Sequence, residues 1–178
     1  RPFFPVMPYP HYASMDPEDV EAIIAYIRTL KAIKNVVKIS EPDFPFSLII
    51  RTIPKKATPG KRPDPSQVID YGGYLVNMAA CFDCHTEFDK GEYNEAKAFA
   101  GGRVFPMPSG LVTSANITPD DETGIGAWSQ EFFIGRFKSY ADISKLPKID
   151  PMKDMQTIMP WNMYAGMDST DLAAIYAY

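Results

Sequence analysis

Cysteine is nearly absent from this chain: its 178 residues hold two, Cys81 and Cys84. That count excludes the disulfide framework of a small secreted domain, and the spacing makes the pair a local site. Histidine is equally scarce, with only His11 and His85. A structural zinc needs four protein ligands, so it would have to recruit His11 from far along the chain. Long apolar runs are missing as well. The best of them, residues 44–53, is interrupted by Pro45, Ser47 and Arg51 and falls short of the roughly 20 residues that cross a bilayer. The opening residues Arg1, Pro2, Phe3, Phe4 and Pro5 do not follow the basic, apolar, small-residue order of a signal peptide.

Proline, by contrast, is abundant at 17 residues. Much of it lies in residues 1–10 and 41–65, which are therefore expected to be extended rather than helical. Charge is divided unevenly: residues 31–66 carry eight Lys/Arg against three Asp/Glu, and residues 67–178 carry eight against fifteen. An acidic body with a basic strap is not the pattern of a nucleic-acid binder, which concentrates basic residues on one face of the body.

The two ends of the chain are copies of each other. Residues 7–26 match residues 159–178 at a constant offset of 152, with eleven identities in twenty and no gap. Each copy reads as a loop running into a helix, with Asp16 and Asp168 as N-caps and Asp19 and Asp171 three positions later in a variant capping box. Pro17 fits the first helical position. Val20, Ile23, Ile24, Ile27 and Leu30 form an apolar stripe that Leu172, Ile175 and Tyr176 begin to repeat, so each helix is expected to lay one face on a core. The first copy continues through Leu30, whereas the second stops in mid-pattern at Tyr178; the chain reads as a piece of a longer one.

Between the copies, residues 31–66 read as a linker along a surface, since prolines and scattered lysines oppose both a long helix and a central strand. A helix is expected from about Ser66 or Gln67 directly into Cys81. Within it Gly72 and Gly73 each cost roughly 1 kcal/mol against alanine, which close packing should offset. Another helix is expected with Ser129 as N-cap, Glu131 in its first turn, and Phe132, Phe133, Phe137 and Tyr140 available to the core. Residues 101–128 read as an ordered loop.

Chemistry concentrates at Cys81-Phe82-Asp83-Cys84-His85. Two thiols and a histidine at this spacing form the attachment signature of c-type haem: the thiols add to the vinyl groups and the histidine binds iron. A thioredoxin-like pair would follow a strand, but the pattern before Cys81 is helical. A second axial ligand is best supplied by the thioether of Met159, which is followed by Pro160 and then the C-terminal helix. Methionine opposite histidine raises the reduction potential and leaves no open site on iron. Met163 and Met167 compete for the role. The repeat counterpart of Met163 is His11, and Met167 precedes the helix cap, where an apolar residue serves as a hydrophobic staple. His11 itself reads as a surface histidine.

With these motifs in view, the chain resembles c-type cytochromes with two or more haem domains, including the cytochrome subunits of periplasmic alcohol, aldehyde and gluconate dehydrogenases. The resemblance covers residues 67–178, through the haem motif, through Asn116-Ile117-Thr118-Pro119-Asp120 with Thr123-Gly124-Ile125-Gly126 and Trp128, and through Met159-Pro160-Trp161. It implies an all-α, class I cytochrome c-like domain at 67–178, with helices around one covalent haem c and long ordered loops. It also implies that residues 1–30 are the C-terminal end of a preceding haem domain, joined by the basic linker 31–66, with Met7 matching an axial methionine. In such proteins the Asn-Ile-Thr-Pro-Asp loop packs over the haem, which makes Arg103 and Trp128 candidate propionate contacts.

The expected function is electron transfer through a six-coordinate His85/Met159 haem iron, with no residue acting as acid, base or nucleophile. The alternative is a haem enzyme or sensor with a labile distal ligand, peroxidase-like in character. Redox partners are expected to be a dehydrogenase, a quinol-oxidising complex or a terminal oxidase, together with other haem domains of the same longer chain. The resemblance implies the periplasm or the outer face of the bacterial inner membrane.

Overall fold

The computed structural model describes residues 7–53, 55–154 and 157–178. Two compact units make up the chain, Arg1–Pro63 and Asp64–Tyr178. Among the described residues no helix is long and apolar enough to cross a membrane.

In the first unit a single helical turn, α1 (Tyr9–Tyr12), leads into α2 (Pro17–Thr29). Asp16 caps α2 by accepting from the Glu18 amide at 2.9 Å, and Pro17 occupies the first helical position. The basic strap then returns to the loop between these helices. Thr58 N–H donates to the Ala13 carbonyl, Gly60 N–H to that of Ser14, and Arg62 N–H to the Asp16 carboxylate at 2.8 Å. Two expectations change here. Residues 9–12 and a further turn, α3 (Phe46–Ile49), are helical rather than extended. A proline in a first turn gives up only an amide that would lack a helical partner anyway, so Pro8 and Pro10 frame α1 without breaking it. The apolar stripe of α2 also lies open, with Ile27 and Leu30 each 57% exposed. Residues 1–6 fall outside the description.

The second unit begins with α4 (Val68–Met78) and α5 (Cys81–His85). Two small hairpins follow, β1 (Phe88–Asp89) with β2 (Glu92–Tyr93) and β3 (Val104–Met107) with β4 (Gly110–Thr113). The unit closes with α6 (Gln130–Lys138), the single turn α7 (Trp161–Tyr164) and α8 (Ser169–Ala177). It is mostly helical with few strands, compatible with the fold that the resemblance implied. The second hairpin lies inside the stretch read as a loop: Val104, Phe105, Leu111, Val112 and Thr113 are strand formers flanking a Pro-Ser turn, and Phe105 pairs with Val112.

The core sits where α4 crosses α8. Leu172 is fully buried and Val76 and Ala174 nearly so. The crossing is close because of the two glycines: a Cβ on Gly72 would lie 2.0 Å from the Ala174 carbonyl oxygen, and one on Gly73 would lie 2.8 Å from the Tyr178 ring. Across the same crossing the Tyr71 hydroxyl donates to the Asp171 carboxylate at 3.0 Å. Asp171 thus serves tertiary structure, and Asp19 also pairs with Arg62. Ser129 caps α6 as expected, accepting from the Phe132 amide. From α6, Lys138 Nζ donates to the Ala165 carbonyl at 3.1 Å and to that of Met167, closing the α7–α8 corner.

The sequence repeat is reproduced in most of its backbone bonds, although Asp168, unlike Asp16, makes no side-chain cap bond. Tyr9 N–H donates to the Met7 carbonyl at 2.8 Å, as Trp161 N–H does to that of Met159 at 2.8 Å. Tyr12 to Pro8, Ala13 to Tyr9, Met15 to Tyr12 and Val20 to Asp16 have equivalents in Tyr164 to Pro160, Ala165 to Trp161, Met167 to Tyr164 and Leu172 to Asp168. One local fold occurs twice, but only α8 has its helical partner among the described residues.

Candidate functional site

Helix α4 ends at Met78, and Ala80 then takes a left-handed conformation (φ 51°) that turns the chain into α5. This one-and-a-half-turn helix sets Cys81 and Cys84 three residues apart on one face. Both cysteines are free and partly buried. Burial, with Cys84 nearby, pushes the Cys81 thiol up to about 11. Burial also raises the Cys84 thiol, against the opposing pull of Arg103. These are neutral sulfurs, unlike the activated thiolate of a redox pair. Among the described residues no three His, Cys, Asp or Glu side chains converge as metal ligands, so the motif is not arranged as a chelate.

His85 is fixed from its backbone outward. Gly101 N–H donates to the His85 carbonyl at 2.7 Å, and the adjacent Thr86, fully buried, accepts from the Phe99 amide at 3.1 Å. The returning strand places the Ala115 carbonyl 2.8 Å from His85 Nδ1. A carbonyl can only accept, so Nδ1 is the donor, and in the neutral ring this leaves the Nε2 lone pair available, the tautomer a metal-binding imidazole needs. Gly101 makes this approach possible: it has φ 76°, and a Cβ there would fall 2.5 Å from the Ser114 carbonyl oxygen. Thr86, Gly101 and Ala115 were not singled out from sequence. The Gly101-Gly102 pair was the one signal that a close backbone approach was coming.

Arg103 lies beside the motif. Its Nη1 donates to the Asp83 carbonyl within α5 and to the Tyr93 hydroxyl at 3.2 Å, and its guanidinium lies over the rings of Phe88, Tyr93 and Phe105 at 5.0, 5.9 and 5.2 Å. Rings from both hairpins thus surround an arginine that is bonded to α5. Trp128 follows the Asn116–Asp120 loop, which closes on itself: Asn116 accepts from Thr118, and Asp120 accepts from Thr123 N–H and Oγ at 2.7 Å each. Gly124 and Gly126 admit no side chain, since a Cβ would lie 2.2 and 2.4 Å from the carbonyl oxygens of Thr118 and Pro119. The Trp128 ring meets Phe132 edge-on, and its carbonyl accepts from Tyr176 at 2.6 Å.

Met159 is half-buried, two residues before α7. The next residue but one, Trp161, stacks on Tyr140 at 5.2 Å, with the Arg136 guanidinium 5.0 Å from its indole. Of the competing methionines, Met163 is 70% exposed and Met167 is half-buried. Met7 is 44% exposed, and it and the half-buried His11 belong to the first unit. The structure thus gathers Cys81, Cys84, His85 and Arg103 around α5, and the Tyr164 hydroxyl ties the Met159 turn to Ala79, two residues before Cys81.

Two neutral thiols on one helix face and an imidazole presenting Nε2 are the donor set that thioether attachment and axial ligation of haem require, so the residues present fit the group.

No family model matches the chain. It is similar to the gluconate 2-dehydrogenase cytochrome c subunit of Pantoea cypripedii, 34% identical over 62% of this chain and 22% of that protein. It is also similar to the fructose dehydrogenase cytochrome subunit of Gluconobacter japonicus, 31% identical over 72% of this chain and 24% of that protein. A diheme cytochrome c-type protein of Cereibacter sphaeroides is 31% identical over 66% of this chain and 41% of its own length. The chain spans about a fifth of the length of the first of these relatives. The chain thus resembles the cytochrome c subunits of dehydrogenases.

Proposed function

We propose that the chain is an electron-transfer c-type cytochrome, in which Cys81 and Cys84 hold one haem c and His85 and Met159 are the axial ligands of its iron. The observation that carries this reading is the 2.8 Å contact between His85 Nδ1 and the Ala115 carbonyl, which sets the imidazole to present Nε2 one residue after a pair of neutral thiols. When bound, the haem supplies a one-electron iron couple. The protein's own part is to orient and to shield. The Ala115 carbonyl holds the imidazole tautomer, Arg103 places a fixed positive charge beside α5, and the Pro160 turn presents the thioether. Arg103 and Trp128 are the proposed propionate contacts. No side chain is asked to transfer a proton.

The same reading extends to the whole protein. Unit 1 is the end of a preceding haem domain in which Met7 is the axial ligand, and the strap links the two domains. A dehydrogenase subunit is the proposed electron donor, since the similar proteins are named as dehydrogenase subunits; the proposed location is the periplasm or the outer face of the inner membrane.

Covalent attachment and a closed iron test the proposal together. After expression with a haem-attachment system, intact mass should show one haem that survives denaturation and is lost in Cys81→Ser/Cys84→Ser, and the reduced protein should not bind carbon monoxide. Ready carbon monoxide binding would favour the enzyme or sensor reading.

A further inference from the structure

The two segments proposed to carry the axial ligands are joined by one side chain. Tyr164 ends α7, and its hydroxyl donates to the Ala79 carbonyl at 2.7 Å. Ala79 is the C-cap of α4, where the helix has run out and its carbonyl lacks a helical amide partner. The next residue, Ala80, makes the left-handed turn into Cys81. At the other end of the tie, Met159 and Tyr164 belong to one compact turn. Trp161 N–H donates to the Met159 carbonyl at 2.8 Å, and Met163 and Tyr164 N–H donate to that of Pro160 at 3.0 and 3.2 Å. The Tyr164 ring itself packs edge-on against Phe137, 6.2 Å between centroids. The sequence repeat keeps tyrosine here in both copies, as Tyr12 and Tyr164, although Met163 beside it became His11 in the other copy.

We infer that Tyr164 is a positioning residue that holds the Met159 turn at a fixed reach from the Cys81–His85 segment and so disfavours release of the thioether from iron. This rests on the His85/Met159 reading above. A thioether is a soft donor and ferric iron a hard acceptor, so the ferric bond is the one most dependent on the protein holding its ligand in place. Without the phenol tie, the turn gains states in which the sulfur is withdrawn, and an external ligand draws on that population.

The test is imidazole titration of the ferric holoprotein, following loss of the near-infrared band of methionine-ligated iron. Tyr164→Phe keeps the ring and removes the tie; a neutral hydrogen bond of ordinary strength corresponds to about fivefold tighter apparent imidazole binding. Tyr71→Phe is the comparison, because it removes another phenolic bond between the α4 and C-terminal segments, the one to Asp171. A purely structural role would let both variants loosen the site alike. The inference stands if Tyr164→Phe alone tightens imidazole binding. It is overturned if Tyr164→Phe binds imidazole like the parent, or if Tyr71→Phe matches it. If the parent protein shows no near-infrared band that depends on Met159, the axial assignment itself fails, and this inference falls with it.

Discussion

Gly72→Ala and Gly135→Ala are the same chemical change in two helices, and the structure assigns them opposite signs. Alanine is favoured over glycine in a helix by about 1 kcal/mol. At Gly135 on α6 nothing lies within 4 Å of the added methyl group, so that preference is realised and the variant should be more stable by roughly 0.5–1 kcal/mol. At Gly72 the methyl carbon would sit 2.0 Å from the Ala174 carbonyl oxygen, where ordinary contact begins near 3.4 Å. Helices α4 and α8 would have to separate by more than an ångström along that line. The obstacle is backbone, so no rotamer relieves it, and parting the helices exposes Leu172 and Ala174. Overpacking of this kind costs about 3 kcal/mol at the upper end of the usual range. Set against the helix preference, the net loss is about 2 kcal/mol. Denaturant unfolding of the holoproteins, followed by far-ultraviolet circular dichroism, reads both. A Gly72→Ala protein as stable as the parent would refute the close crossing of α4 and α8.

Arg103→Leu should destabilise the second unit by about 1–3 kcal/mol, since the Asp83 carbonyl and Tyr93 hydroxyl lose their shared donor. It should also lower the reduction potential, because a fixed positive charge disfavours the ferric state; an unchanged potentiometric midpoint would remove Arg103 from the site. Arg103→Lys should recover only part of both effects, because an ammonium lacks the planar fork that meets two acceptors at once. In the first unit, hydrogen bonds from the Arg62 and Glu18 amides hold the Asp16 carboxyl below its ordinary value of 3.8. The stabilisation from a depressed carboxyl is complete above the unfolded value and is lost as pH falls through the lower folded one. Protection of the Glu18 and Arg62 amides against hydrogen exchange, read by NMR, should therefore persist below pH 3.8 before collapsing, and Asp16→Asn should weaken it at neutral pH. Equal protection in parent and variant would contradict the cap.

The Cys81–His85 motif and the caps of α2 and α6 were legible because each is written in local spacing, and the repeat because its two copies align without a gap. Cys81, Cys84 and His85 adjoin one another, and Asp16 and Ser129 cap their helices through amides within three residues, although Asp16 also accepts from the distant Arg62 amide. Gly72 and Gly73 announced a close approach, but what they approach, Ala174 and Tyr178, lies a hundred residues away. The hidden features share that character. Ala115 acts through its carbonyl, which no side chain reports, and the Arg103 enclosure combines Phe88, Tyr93 and Phe105 from two hairpins. The open stripe of α2 has the same origin. Its periodicity states that a face must be covered, and the repeat shows through α8 what kind of helix covers such a face.

The most direct test of the central claim is the near-infrared absorption of the ferric protein, recorded for the parent and for Met159→Ala. A band characteristic of iron bonded to methionine sulfur, lost on substitution of Met159, is the result predicted for a closed His85/Met159 electron carrier. No band, or a band that survives Met159→Ala, would contradict that ligation and favour an open haem site.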